Sequence, residues 1–157
     1  MLKNFIRKFY QIAFICHKII NILDNEIAVQ FFYSLPITIY HKIIWFDTEQ
    51  ISFNYNSPSA EMLINDINKL ITDYPKLIIE INGHSDRSGP ATEHYRLSEE
   101  RAKNIAQFII QKTKITEDQI KLIALGSSQP LDPGIDCAAH ARNRRIDLYI
   151  RTKLNND

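Results

Sequence analysis

The stretch LIIEINGHSDRSGP, residues 77–90, decides the fold. Leu77 to Asn82 is a short apolar run rich in isoleucine, the composition of a largely buried strand. Gly83 to Pro90 is polar and punctuated by glycine and proline, so the strand must empty into a loop. Upstream, Ser57-Pro58 supplies an N-cap hydroxyl and a proline for the first helical position. Ala60, Leu63, Ile64, Ile67, Leu70 and Ile71 then recur at helical spacing until Pro75 stops them. Downstream, a second helix runs from the Glu93 region to Lys112, with Ala102, Ile105, Ala106 and Ile109 as its inner stripe. Ile120 to Leu125 reads as a third strand, Gly126 to Gly134 as turns, and the alternating Arg145 to Arg151 as the last strand. In Ile27 to Phe46, broken by Pro36, β-branched and aromatic residues dominate and give a further strand. Ile37, Ile39, His41, Ile43 and Trp45 share one of its faces and Thr38, Tyr40, Lys42, Ile44 and Phe46 the other; both are largely apolar, as in an internal strand.

The resulting β-α-β-α-β-β order predicts an α/β (α+β) two-layer sandwich, a mixed sheet with its helices on one face. It occupies residues 36–157. Residues 1–35 form a separate basic and apolar segment: the first 23 residues hold Lys3, Arg7, Lys8 and Lys18 and no acid, among Phe5, Ile6, Phe9, Ile12 and Phe14. His17 and Lys18 cut its apolar run to about half of the roughly 20 residues a membrane span requires. That leaves a degenerate signal or anchor, or an amphipathic helix lying on its own domain or on a membrane.

At 157 residues and 45% apolar composition, one core suffices without a disulfide or metal. Cys16 and Cys137 form no CxxC pair, and the 19 basic residues nearly balance the 18 acidic ones, against a polyanion binder held by overall charge. No GxSxG, P-loop or dinucleotide fingerprint occurs. Ser98 reads as a helix cap rather than a nucleophile, and the spacing of His84 and His94 around Asp86 suits no metal motif.

The densest polar cluster follows the second strand, where open α/β sheets commonly bind ligands. Asp86 in the loop and Arg101 in the next helix, beside the backbone N–H groups of Gly83 to Ser85, suit a zwitterion: the carboxylate accepts from an ammonium and the guanidinium fork holds a carboxylate. The same two residues could instead pair with each other as a structural salt bridge, worth about 0–1 kcal/mol if exposed.

Gly83-His84-Ser85-Asp86, Gly89, Leu97-Ser98-x-x-Arg101-Ala102, Gly126 with Pro130, and Asn143-Arg144-Arg145-Ile146-Asp147 together resemble the OmpA-like peptidoglycan-binding domain family, over about residues 40–152. The order and spacing of the series make the resemblance specific. It implies a non-catalytic domain, without cofactor or metal, that grips the diaminopimelate residue of the peptidoglycan stem peptide. Asp86 and Arg101 take the family's amine- and carboxylate-holding positions, with Gly83, His84, Ser85, His94, Asn143 and Arg144 around them. Arg144 or Arg145 adds an anion contact or serves as a sheet-edge charge. The resemblance further implies a Gram-negative cell envelope, periplasmic or outer-membrane-associated, with residues 1–35 reaching a membrane or envelope partner and no nucleic acid bound. Ser85 departs from the family's Thr, Glu93 and His94 from its Tyr-Asn pair, Ala124 from a Gly, Ser127 from a Glu, and His140 stands where Arg is frequent. None of these touches Asp86 or Arg101, so they imply an altered stem preference rather than lost binding. The alternative is a basic-edged nucleic-acid or protein-interaction module built on Arg142, Arg144, Arg145, Arg151 and Lys153.

Overall fold

The computed structural model describes residues 36–153, side chains through Thr152. The basic segment 1–35, with Cys16 in it, lies outside the described residues. Four strands, β1 (Pro36–Trp45), β2 (Ile78–His84), β3 (Ile120–Gly126) and β4 (Arg145–Lys153), form one sheet in the order β1-β4-β2-β3. β2 runs parallel to β3 and antiparallel to β4, so the sheet is mixed as the element order requires. The helices are α1 (Pro58–Asp73), α2 (Ala91–Lys112) and α3 (Cys137–Asn143), with a single 3₁₀ turn at Glu117–Gln119.

Local chemistry sets these boundaries. Ser57 caps α1, its Oγ accepting from the Ala60 N–H at 3.2 Å, a bond worth about 1 kcal/mol. Leu63 and Ile67 of α1 join Ala102, Ile105 and Ile109 of α2 over Ile79 and Ile81 of β2 and Ile146, Leu148 and Ile150 of β4. Both long helices therefore cover the same face. Burying each of these side chains contributes about 1.5–3 kcal/mol.

Three expectations change. β1 is an edge strand among the described residues, because β4 inserts between it and β2. Ile44 and Phe46 face the helices, while Trp45 on the opposite face is 51% exposed. α3 was not expected; it is a two-turn helix capped by Asp136, whose carboxylate accepts from the Ala139 N–H at 2.7 Å. Ser98 is not a helix cap but lies inside α2, donating to the Tyr95 carbonyl and accepting from the Gly126 N–H at 3.1 Å.

Gly83 lets α2 and β2 approach closely. A Cβ built there would sit 2.1 Å from the Ser98 carbonyl oxygen, which is helix backbone and cannot rotate away. Gly83→Ala is expected to destabilise the fold by about 1–3 kcal/mol or more through overpacking, read as a lowered urea midpoint with unchanged slope.

Candidate functional site

A cavity of about 570 Å³ opens beyond the C-terminal end of β2. The loop after β2 supplies Ser85, Asp86 and Ser88 to its wall, α2 supplies His94 and Arg101, and Arg144 comes from the junction of α3 and β4.

Asp86 is buried and its carboxylate is held on both oxygens. Oδ1 accepts from the Ser88 N–H at 3.0 Å and the Ser88 hydroxyl at 2.5 Å, and Oδ2 from Arg144 Nη1 at 2.8 Å. His140 Nδ1 lies farther off, 3.9 Å from the same oxygen. Burial pushes the Asp86 carboxyl up, but the hydrogen bonds from Ser88 and Arg144 outweigh it and hold it below the usual carboxylate range.

Arg101 is wholly buried. Its Nε donates to the Gln50 carbonyl at 2.7 Å, Nη1 to the His84 carbonyl at 3.3 Å and Nη2 to the Asp47 carbonyl at 3.4 Å, and its guanidinium lies 5.0 Å above the centre of the Phe46 ring. Burial pushes this guanidinium down to about 10; the Asp86 charge opposes that shift, and Arg101 stays charged at neutral pH. The turn it grips carries Glu49, whose φ of 58° puts a non-glycine residue in the left-handed region at the cavity mouth.

Asp86 and Arg101 thus share one cavity, yet the ion pair runs from Asp86 to Arg144, 58 positions away in sequence. Ser85 also lines the cavity, and its buried hydroxyl has no partner. His94 ties two loops together: the Ser88 carbonyl can only accept, so Nε2 carries the hydrogen across 3.0 Å, and Nδ1 faces the Ser127 hydroxyl at 3.0 Å. The other expected residues do not line the cavity. Gly83 packs against α2, and His84 turns its ring to Asp147 on the far face of the sheet. Asn143 clamps the loop before α3, accepting from the Asp132 N–H at 2.9 Å and donating to the Asp132 carbonyl at 2.7 Å.

The C-terminal arginines do not form a free basic edge. Arg142 pairs with Asp132, Arg144 with Asp86, Arg145 with Asp147 and Arg151 with Glu80. Arg145 is buried on the internal strand β4 and is not a sheet-edge charge. Cys137 is a free, exposed thiol, and among the described residues no group of three or more His, Cys, Asp or Glu converges on a metal position.

A two-layer sandwich whose helices cover one face, with a charged cavity walled by the β2–α2 loop and the start of the last strand, defines a known class of small α/β domain. The chain belongs to the OmpA family, whose model matches residues 45–144. Over 81 residues, 51% of this chain, it is 32% identical to the peptidoglycan-associated lipoprotein of Legionella pneumophila and matches 46% of that protein. It spans less than half the length of the curated relatives it matches. The fold is shared with the peptidoglycan-associated lipoprotein of Burkholderia pseudomallei, at a TM-score of 0.61 and 24% identity over 69% of this chain and 88% of that one. It is also shared with the cell wall anchor of the T6SS from Pseudomonas aeruginosa, at a TM-score of 0.56 and 20% identity over 71% and 80%.

The depressed Asp86 carboxyl makes a signed prediction. Its stabilisation is fully present above the unfolded-state value of about 3.9 and is lost as pH falls through the lower folded value. Asp86→Asn should therefore lose less stability than wild type between about pH 4 and pH 2, measured by urea unfolding across that range.

Proposed function

We propose that the cavity over Asp86 grips the free end of the diaminopimelate residue of a peptidoglycan stem peptide and so anchors the protein to the cell wall. One observation carries the reading: among the charged residues of the 570 Å³ cavity, the buried Asp86 carboxylate sits with the Arg101 and Arg144 guanidiniums, the complement of a ligand end bearing one ammonium and one carboxylate. The Asp86 carboxylate already accepts three hydrogen bonds of its roughly four, which leaves one direction for an ammonium. Arg144 spends its Nε on the Phe46 carbonyl and one N–H on Asp86, and its remaining donors are available to a carboxylate. Arg101 has three of its N–H groups committed to main-chain carbonyls, so its part is to hold the cavity wall and supply positive potential. The unpartnered Ser85 hydroxyl is a further contact for the ligand.

The role is holding rather than reacting. A carboxylate that already accepts three hydrogen bonds and is held below its ordinary range is a poor general base at neutral pH. In the proposed setting the domain sits in the envelope of a Gram-negative bacterium, and residues 1–35 connect it to a membrane or an envelope partner. The names of the similar proteins, two peptidoglycan-associated lipoproteins and a cell wall anchor, support this reading.

The test is retention of the full chain on purified sacculi at physiological salt, comparing diaminopimelate-type with lysine-type walls. Lysine lacks the second carboxylate, so retention on the first and release from the second is expected. Asp86→Ala and Arg144→Ala should each weaken retention by about 2–5 kcal/mol, the cost of stranding a desolvated charge. Equal retention on both walls would remove the diaminopimelate grip, and no retention on either would overturn wall anchoring itself.

A further inference from the structure

We propose that Asp147, on the sheet face turned away from the cavity, is a positioning residue for Asp86 and acts through His84. The inference rests on reading the cavity as a ligand site, and it concerns what holds that site in shape.

Side chains on β2 alternate, so Ile79, Ile81 and Gly83 face the helices while Glu80, Asn82 and His84 face away. On β4, Asp147 lies on that same outer face opposite Asn82, and extension of the register sets Arg145 beside His84. Three cationic or donor side chains meet the Asp147 carboxylate there. His84 Nε2 on β2 lies 3.2 Å from Oδ2, Arg145 Nε on β4 donates to Oδ2 at 3.0 Å, and His41 Nε2 on β1 lies 3.4 Å from Oδ1. His41 is stacked on Tyr149 at 4.4 Å, and Arg145 is steadied by the Gln129 carbonyl from the loop before α3. Burial alone would push the Asp147 carboxyl up, yet these partners hold it below the usual range, so the anchor is a fixed negative charge.

His84 is where such an anchor is needed. The parallel pairing of β2 with β3 slips between Gly83 and His84, so that His84 stands opposite Gly126 while Gly83 stands opposite Ala124. Beyond the slip a single main-chain bond, from the Ser85 N–H to the Gly126 carbonyl at 2.9 Å, ties the departing chain to β3, so the ladder fixes it at one point and leaves the side-chain contacts to complete its direction. Asp86 lies only two residues further on. The His84 ring is buried and its Nδ1 has no partner, so its 3.2 Å contact with Asp147 is the ring's polar tether. The His84 main-chain carbonyl meanwhile accepts from Arg101. One residue thereby joins the outer-face anchor to Arg101 directly and to Asp86 through two residues of main chain.

The experiment uses the full chain as wild type, Asp147→Asn, Asp147→Glu, His84→Asn and, as a control on the same sheet face, Lys121→Ala. Two quantities are read: amide NMR shifts of Ser85, Asp86 and Ser88 without ligand, and affinity for a soluble tripeptide ending in diaminopimelate. Asp147→Asn is expected to move those amides and weaken binding about tenfold, the usual scale for a supporting residue behind a binding group. Asp147→Glu, which keeps the charge, should recover most of the loss, and Lys121→Ala should change neither readout. If Asp147→Asn does not fold, His84→Asn carries the test, since Asp147 then keeps Arg145 and His41. Wild-type amide shifts and affinity in a folded Asp147→Asn protein would overturn the proposal. Failure of wild type to bind the tripeptide would instead remove the ligand reading of the cavity, and the amide shifts would still decide the positioning role.

Discussion

The structure around the cavity depends on one buried cation. A guanidinium taken wholly out of water costs several kcal/mol unless its donors are answered, and Arg101 answers them with the carbonyls of Asp47, Gln50 and His84. Those carbonyls belong to the turn after β1 and to the last residue of β2, while the side chain itself rises from α2. A single residue therefore pins three separate segments to one point. The Phe46 ring beneath the guanidinium adds an electrostatic contact that a lysine could not reproduce with the same planar fork.

That commitment divides labour between Arg101 and Arg144. Arg101, wholly buried, has three of its five N–H groups turned to the main chain, whereas Arg144 is partly exposed and has three of its five left. Zwitterion logic read from sequence spacing assigns the fork to Arg101, because Arg101 is the arginine fifteen positions beyond Asp86. The folded chain gives the direct ion pair to Arg144, because β4 returns between β1 and β2 and brings the end of α3 over the loop. Periodicity along one helix carries no information about such a return.

The same distinction explains what the sequence made legible. Helix boundaries, inner stripes and the mixed two-layer architecture rest on local signals, namely Ser57-Pro58, the Ala102 to Ile109 spacing and the alternation after Arg145. The site loop was legible through its punctuation and its motif residues. The place of β1 at the edge was not, since an apolar odd face on Ile39 and Ile43 reads the same whether a strand or open space lies beside it. α3 was hidden because seven residues offer too little periodicity, although Asp136 ahead of Cys-Ala-Ala was an available cap signal. His84 and Asn143 belong to the recognised motifs yet serve the frame of the site; a motif identifies residues that recur together, not which of them face the ligand.

Charge balance ties frame and function together. In the inner wall of the cavity two guanidiniums meet one carboxylate, while Arg96 on α2 is already answered by Glu93 and Glu100. Around that trio Glu49, Glu93 and Glu100 stand against Arg96, so the lining as a whole has four acids to three arginines and its positive charge is confined to Arg101 and Arg144. Burial already pushes Arg101 down from its ordinary value, and the neighbouring Arg144 charge adds to that shift. A ligand bringing only an ammonium would add a third cation to this wall, and one bringing only a carboxylate would leave the open direction at Asp86 unused. A group carrying both sets its carboxylate against the guanidiniums and its ammonium in the acceptor site. The net charge of +1 across the whole chain conceals this separation of charge, which arises only where the folded chain brings Asp86, Arg101 and Arg144 to one cavity.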